Sequence, residues 1–134
     1  IGDHSNFPTI LRAKMHEAEK FTAGNTKVQL TIAAGYGGQW DIVQAARRLA
    51  KADIEITAEL LERELSTARL PPVDLLIRTG GEKRISNFML WQISYSEIYF
   101  CDTLWPDFND KSFCDALQWY AGRERRFGRV TEDA

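Results

Sequence analysis

Cysteine and histidine are scarce in this sequence, with two of each among 134 residues. Cys101 and Cys114 cannot build a disulfide framework, and no Cys/His cluster has zinc-ligand spacing. The pair reads as small core fillers in a reduced, cytosolic setting. Nor is there an excess of charge of one sign. The 17 basic and 19 acidic side chains leave a formal charge of −2, which argues against a general polyanion binder. Long apolar runs are missing as well; Val28 to Ala34 and Phe88 to Trp91 fall far short of the roughly 20 residues that span a bilayer. No internal repeat, linker or low-complexity tract is visible. What is present is a globular composition, 44% hydrophobic and 27% charged, long enough for one core, and the expectation is a single domain over 1–134. The opening Ile1-Gly2-Asp3, without an initiator methionine and running almost at once into helical pattern, suggests a chain cut inside a domain.

Helix and strand patterns alternate. Ile10, Leu11, Met15 and Ala18 recur at three- and four-residue steps, predicting a half-exposed helix over 7–21 that ends at Ala23-Gly24-Asn25. Val28 to Ala34 reads as a strand from its β-branched and aliphatic content. A helix is predicted from Trp40 to Ala52 and a short one from Thr57 to Leu65, with Thr57 as cap. Pro71-Pro72 precedes an apolar strand, Val73 to Ile77, expected to be buried on both faces. Ser86 to Tyr95, apolar nearly all round, predicts a buried helix, and Ile98 to Cys101 a further strand. The last helix is placed at Lys111 to Arg126, with Phe113, Ala116, Leu117 and Tyr120 inward. This order implies an α/β fold, a largely parallel sheet flanked by helices.

Ligands of open α/β sheets sit outside the carboxyl ends of the strands. Two glycine turns occupy that edge, Gly35-Tyr36-Gly37-Gly38 and Thr79-Gly80-Gly81, and each could bring backbone N–H groups to an anion. Neither has dinucleotide or P-loop spacing. The second turn opens a run, Arg78 to Asn87, that carries two guanidinium groups, an ammonium and a hydroxyl. Arginine grips phosphate oxygens through a planar fork, and a hydroxyl adds a neutral donor. Plainer roles exist for some members: Ser86 as a helix cap, Arg84 as a loop cation with Glu82 as its surface partner. Arg78 is harder to dismiss, because it ends a buried strand, where an unpaired charge is costly. Arg123 to Arg129 is a second basic cluster, readable as charge at a helix C-terminus with Gly128 as the stop, or as a short nucleic-acid contact. Glu97 reads as an edge carboxylate or a metal ligand. His4 and His16 read as structural or surface residues.

The run Ile77 to Gln92 resembles the signature of the cis-prenyltransferases. Glu97-Ile98-Tyr99-Phe100, Leu104-Trp105-Pro106-Asp107-Phe108 and the terminal Arg-Glu-Arg-Arg-Phe-Gly extend the likeness in order, as does Ala33 to Ile42. The resemblance implies condensation of isopentenyl diphosphate with an allylic diphosphate, usually farnesyl diphosphate, to make a Z-polyprenyl diphosphate. In bacterial members the product is undecaprenyl diphosphate, the lipid carrier of cell-wall synthesis. It also implies a six-stranded parallel sheet, a hydrophobic tunnel, a cytoplasmic homodimer using Mg²⁺, no nucleic-acid partner, and peripheral membrane association for product release. By position, Arg78, Arg84 and Ser86 would bind the isopentenyl diphosphate, with Ile85 contributing main chain. Glu97 would be the magnesium-associated carboxylate, and Arg126 and Gly128 the Arg-x-Gly element that reaches a partner subunit. The family's aspartate-bearing N-terminal stretch has no counterpart here, so the expectation is an acceptor-binding half without catalytic activity of its own. Lys83 stands where the family often has histidine or glutamine, which argues against a magnesium role at that position, and Gly35 and Gln39 replace its usual Asn and Arg, so no substrate contact is assigned to them. Non-catalytic prenyltransferase-like subunits lose the acceptor-binding arginines and serine, which this chain keeps.

Overall fold

A computed structural model describes residues 1–124. The chain divides into two compact units, Ile1–Arg69 and Leu70–Ala134.

The first unit holds α1 (Thr9–Thr22), α2 (Gly38–Lys51) and α3 (Ala58–Glu64), each end within about two residues of expectation. α2 forms because Gly37 enters it in extended conformation, Asp41 lies in its first turn, and Arg48 and Lys51 lie in its last, complementing the helix dipole. Its buried residues, Gly38, Asp41, Ala45 and Leu49, follow helical spacing and face α3, which buries Leu61. Thr57 caps α3 as predicted, its Oγ1 accepting from the Leu60 N–H at 3.2 Å. Arg48 Nε donates to Glu64 Oε2 at 2.8 Å, joining the two helices at their rim.

Two expectations fail in this unit. The 28–34 segment is not a strand: Val28, Leu30 and Ile32 are 79%, 81% and 67% exposed. A strand is stabilised by its neighbours, and among the described residues only Ile1–Asp3 runs alongside. The Ile1 amine donates to the Ile32 carbonyl at 2.8 Å, and the Ala34 N–H to the Ile1 carbonyl at 2.9 Å. The apolar stripe of α1 also buries no residue; Ile10 and Leu11 are exposed, so amphipathic pattern gives the helix without giving it a core.

The second unit holds β1 (Leu75–Arg78), β2 (Glu97–Phe100), a 3-10 turn at Trp105–Asp107 and α4 (Asp110–Ala121). β1 and β2 are parallel, with Leu75 opposite Glu97 and Arg78 opposite Phe100. α4 starts where the Asn109 side chain accepts from the Ser112 N–H at 3.1 Å, and it packs on β2 around Ala116. The described sheet therefore has two parallel strands, where the family resemblance implies six.

Several local expectations change here. Both strands are half-buried throughout, not sealed on two faces. Residues 86–95 form successive turns in place of a buried helix. Ser86, Asn87 and Met89 take left-handed φ of 48°, 63° and 45°, which a right-handed helix cannot contain. Only Ile93 of that segment is buried, and Tyr95 is exposed. Helix α4 ends at Gly122, short of Arg126, and Phe113 and Leu117 are exposed on it. Cys101 is half-buried and Cys114 exposed, so neither fills a core.

Candidate functional site

Arg78 is the last residue of β1, at the carboxyl end of a parallel strand, where α/β sheets place ligands. It is half-buried, and no carboxylate pairs with it among the described residues. A cation withdrawn from water without a counter-ion is costly, so the position favours an incoming anion.

The glycine turn behaves differently from expectation. Gly80 and Gly81 adopt φ of 86° and 76°, which accounts for the residue type. Their N–H groups are already spent: Gly80 donates to the Thr103 carbonyl at 2.9 Å, and Gly81 to the Cys101 carbonyl at 3.0 Å. With Cys101 N–H donating to the Arg78 carbonyl at 3.0 Å, the turn prolongs the β1–β2 pairing and is not a backbone anion cradle. An anion there would be met by side chains.

Arg84 and Ser86 follow on the same loop. Arg84 is exposed and ion-paired to Glu82, the surface partnership anticipated from sequence. A pair this open contributes at most about 1 kcal/mol, so a phosphate competes for the guanidinium at little cost. Ser86 caps no helix. Its left-handed backbone is one of three non-glycine positions so strained within four residues. The Ile85 carbonyl accepts from the Phe88 N–H at 3.1 Å.

Glu97 lies elsewhere on the sheet. The register sets it opposite Leu75, about 10 Å along the strands from the Arg78 end. Its Oε2 accepts from Arg123 Nε at 3.2 Å. Among the described residues no three His, Cys, Asp or Glu side chains gather to hold a metal. Magnesium takes one or two carboxylates and completes its shell with waters and substrate phosphates, so Glu97 suits the role of a single protein ligand. Arg126 and Gly128 lie outside the described residues.

The first glycine turn belongs to the first unit and leads to a residue that the sequence did not single out. Asp41 is 1% exposed, and it accepts from Ser66 N–H at 2.9 Å, Ser66 Oγ at 2.7 Å and Tyr36 OH at 3.1 Å. An acidic residue in a first helical turn usually signals only the dipole, and nothing in the spacing links it to a serine 25 residues on. The Glu97–Arg123 pair was equally hidden, its members being 26 residues apart.

Comparison with known proteins follows the same lines. A family profile described as putative undecaprenyl diphosphate synthase matches residues 1–128. The ditrans,polycis-undecaprenyl-diphosphate synthase ((2E,6E)-farnesyl-diphosphate specific) of Pasteurella multocida is 53% identical over 139 residues, covering 98% of this chain and 58% of that protein. Its Escherichia coli K12 counterpart is 52% identical over 135 residues, covering 96% of this chain and 53% of its own length. The chain thus spans little more than half the length of these relatives. Among solved structures, a probable undecaprenyl diphosphate synthase from Campylobacter jejuni superposes with a TM-score of 0.86 at 37% identity, over 96% of this chain and 61% of that one. Lavandulyl diphosphate synthase from Lavandula x intermedia, in complex with dimethylallyl diphosphate, gives 0.90 at 40% identity, over 96% and 58%. The likeness read from Ile77 to Gln92 therefore holds across nearly the whole chain, and the chain belongs to the undecaprenyl diphosphate synthase family of cis-prenyltransferases.

Proposed function

We propose that this chain is the acceptor-binding, C-terminal portion of a Z-prenyl diphosphate synthase, one that condenses farnesyl diphosphate with isopentenyl diphosphate to make undecaprenyl diphosphate for cell-wall assembly. The observation that carries the reading is Arg78: a half-buried guanidinium without a carboxylate partner among the described residues, at a sheet's ligand-binding edge, in a chain 53% identical to a farnesyl-diphosphate-specific synthase. Arg84 and Ser86, downstream on the same loop, supply a second fork and a hydroxyl for the same pyrophosphate head, with the Ile85 N–H beside them.

The reaction breaks the allylic C–O bond, leaving a carbocation and pyrophosphate. The isopentenyl double bond attacks that cation, and loss of a proton restores neutrality. Arg78, Arg84 and Ser86 hold the acceptor by its diphosphate, which converts its encounter with the allylic carbon into a near-unimolecular event. The two guanidinium charges and the serine hydroxyl, once engaged with the diphosphate, are in place before the reaction's charge develops. Glu97 would give one carboxylate oxygen to magnesium, whose chemistry is to neutralise diphosphate charge. The allylic-diphosphate site and most of the tunnel belong, on this reading, to sequence beyond these 134 residues. Arg126 and Gly128 complete a site across a homodimer. The enzyme would be cytoplasmic and release its lipid product by peripheral contact with the membrane; no helix among the described residues is long and apolar enough to cross one. Arg123, the described member of the second basic cluster, engages Glu97 and Trp119.

Arg84→Ala in the full-length enzyme tests the reading. Losing a charge-assisted phosphate contact of about 1.5–3 kcal/mol should weaken isopentenyl diphosphate utilisation on the order of ten- to a hundredfold, with the KM for farnesyl diphosphate little changed. Unaltered KM and turnover for isopentenyl diphosphate would refute it.

A further inference from the structure

Arg123 stands one residue beyond the C-cap of α4, and its backbone is set by an N–H donated to the Tyr120 carbonyl at 3.0 Å. The guanidinium lies 5.1 Å from the centroid of the Trp119 ring, a cation–π contact. Trp119 is in turn packed on Tyr99, ring centroids 5.3 Å apart. Tyr99 is two residues after Glu97 in β2, so both side chains leave the same face of the strand, the periodicity of a strand being two. The Arg123 Nε donates from this aromatic bracket to Glu97 Oε2 at 3.2 Å. The Glu97 side chain is 21% exposed and that of Arg123 51%. Among the described residues Glu97 is engaged through Oε2, and none of them bonds Oε1.

We infer that Arg123 is a positioning residue for Glu97: braced on Trp119, it holds one carboxylate oxygen and presents the other to the magnesium-bearing diphosphate. This rests on the Glu97 assignment proposed above and deepens it. Two features favour positioning over a purely structural role. An ion pair at this exposure adds little to folding stability, so its loss should be read in binding. Arginine also combines a planar face for stacking with a lateral N–H for the carboxylate, and lysine cannot do both. Partners that orient a metal-binding carboxylate commonly change metal affinity by ten- to a hundredfold when removed.

The experiment is a calorimetric titration of isopentenyl diphosphate onto the full-length enzyme at a series of magnesium concentrations, reading the magnesium concentration that half-restores binding. Arg123→Ala should raise that concentration on the order of tenfold. Arg123→Lys should recover part of it, and Trp119→Leu should shift it in the same direction by less. The two Arg123 variants should keep the parent melting temperature, Trp119→Leu should lower it by the loss of its packing on Tyr99, and all three should keep the parent affinity for isopentenyl diphosphate without magnesium. A wild-type magnesium requirement in Arg123→Ala, with Glu97→Gln shifted, would overturn the positioning role alone. A lowered requirement in Arg123→Ala would make Arg123 a competitor of the metal and overturn it too. No shift in Glu97→Gln would remove the Glu97 assignment, and this inference with it.

Discussion

Asp41 in the first unit and Arg78 in the second are both charged groups drawn away from water, and the fold answers them in opposite ways. Asp41 is enclosed by Ser66 and Tyr36, which donate three hydrogen bonds to it between the start of α2 and the end of α3. Arg78, closing β1, receives no carboxylate from any described residue. A charge that the chain satisfies itself holds structure together, whereas a charge left open is, on the reading proposed above, held for a ligand. Arg84 falls between the two, parked on Glu82 in a pair open enough to be exchanged.

Truncating the two groups should separate stability from binding. Asp41→Ala orphans the donors of Ser66 and Tyr36, and it should cost the full-length enzyme about 3 kcal/mol in a urea melt without raising the isopentenyl diphosphate KM of the folded fraction. Equal stability in the variant would show that the buried network carries no weight. Arg78→Ala should do the reverse, raising that KM on the order of ten- to a hundredfold, or about 1.5–3 kcal/mol, while leaving the melt nearly in place. Arg78→Lys, which keeps the charge and loses the fork, should fall between.

Smaller effects sharpen the contrast within single elements. Thr57→Ala should remove the α3 cap at a cost of about 1 kcal/mol in the same melt, with no change in substrate affinity. Ser86→Gly should relieve a left-handed serine and stabilise the enzyme by about 0.5–1 kcal/mol while weakening isopentenyl diphosphate binding. A gain in both properties would place the Ser86 hydroxyl outside the site. The smallest effect concerns pH. Bonds from its own backbone N–H and from the Thr57 hydroxyl hold the Glu59 carboxyl below its usual range. A depressed folded-state value gives stability that is present above the unfolded value and lost as pH falls through the folded one. Glu59→Gln should therefore flatten the acid limb of the stability profile slightly, and an unchanged limb would dismiss the contribution.

The same contrast explains what could be read from sequence. Helices α2, α3 and α4 were legible because caps and apolar spacing are local properties, and the segment holding Arg78, Arg84 and Ser86 was legible because its chemistry lies within nine consecutive residues. The 28–34 segment misled because its composition reports strand propensity, while a strand depends on partners, and here only three residues supply them. Residues 86–95 misled because apolar content all round fits a helix equally well, and no pattern signals three left-handed residues. The spent N–H groups of Gly80 and Gly81 were out of reach too, since their acceptors, Thr103 and Cys101, come from beyond the next strand.

The most direct measurement of whether the open guanidinium is the acceptor's anchor is a calorimetric titration of isopentenyl diphosphate onto full-length Arg78→Ala and Asp41→Asn enzymes beside the parent. The dissociation constant should rise at least about tenfold for the arginine variant and stay unchanged for the aspartate variant. Parent affinity in Arg78→Ala, or an equal loss in both, would contradict that anchoring role.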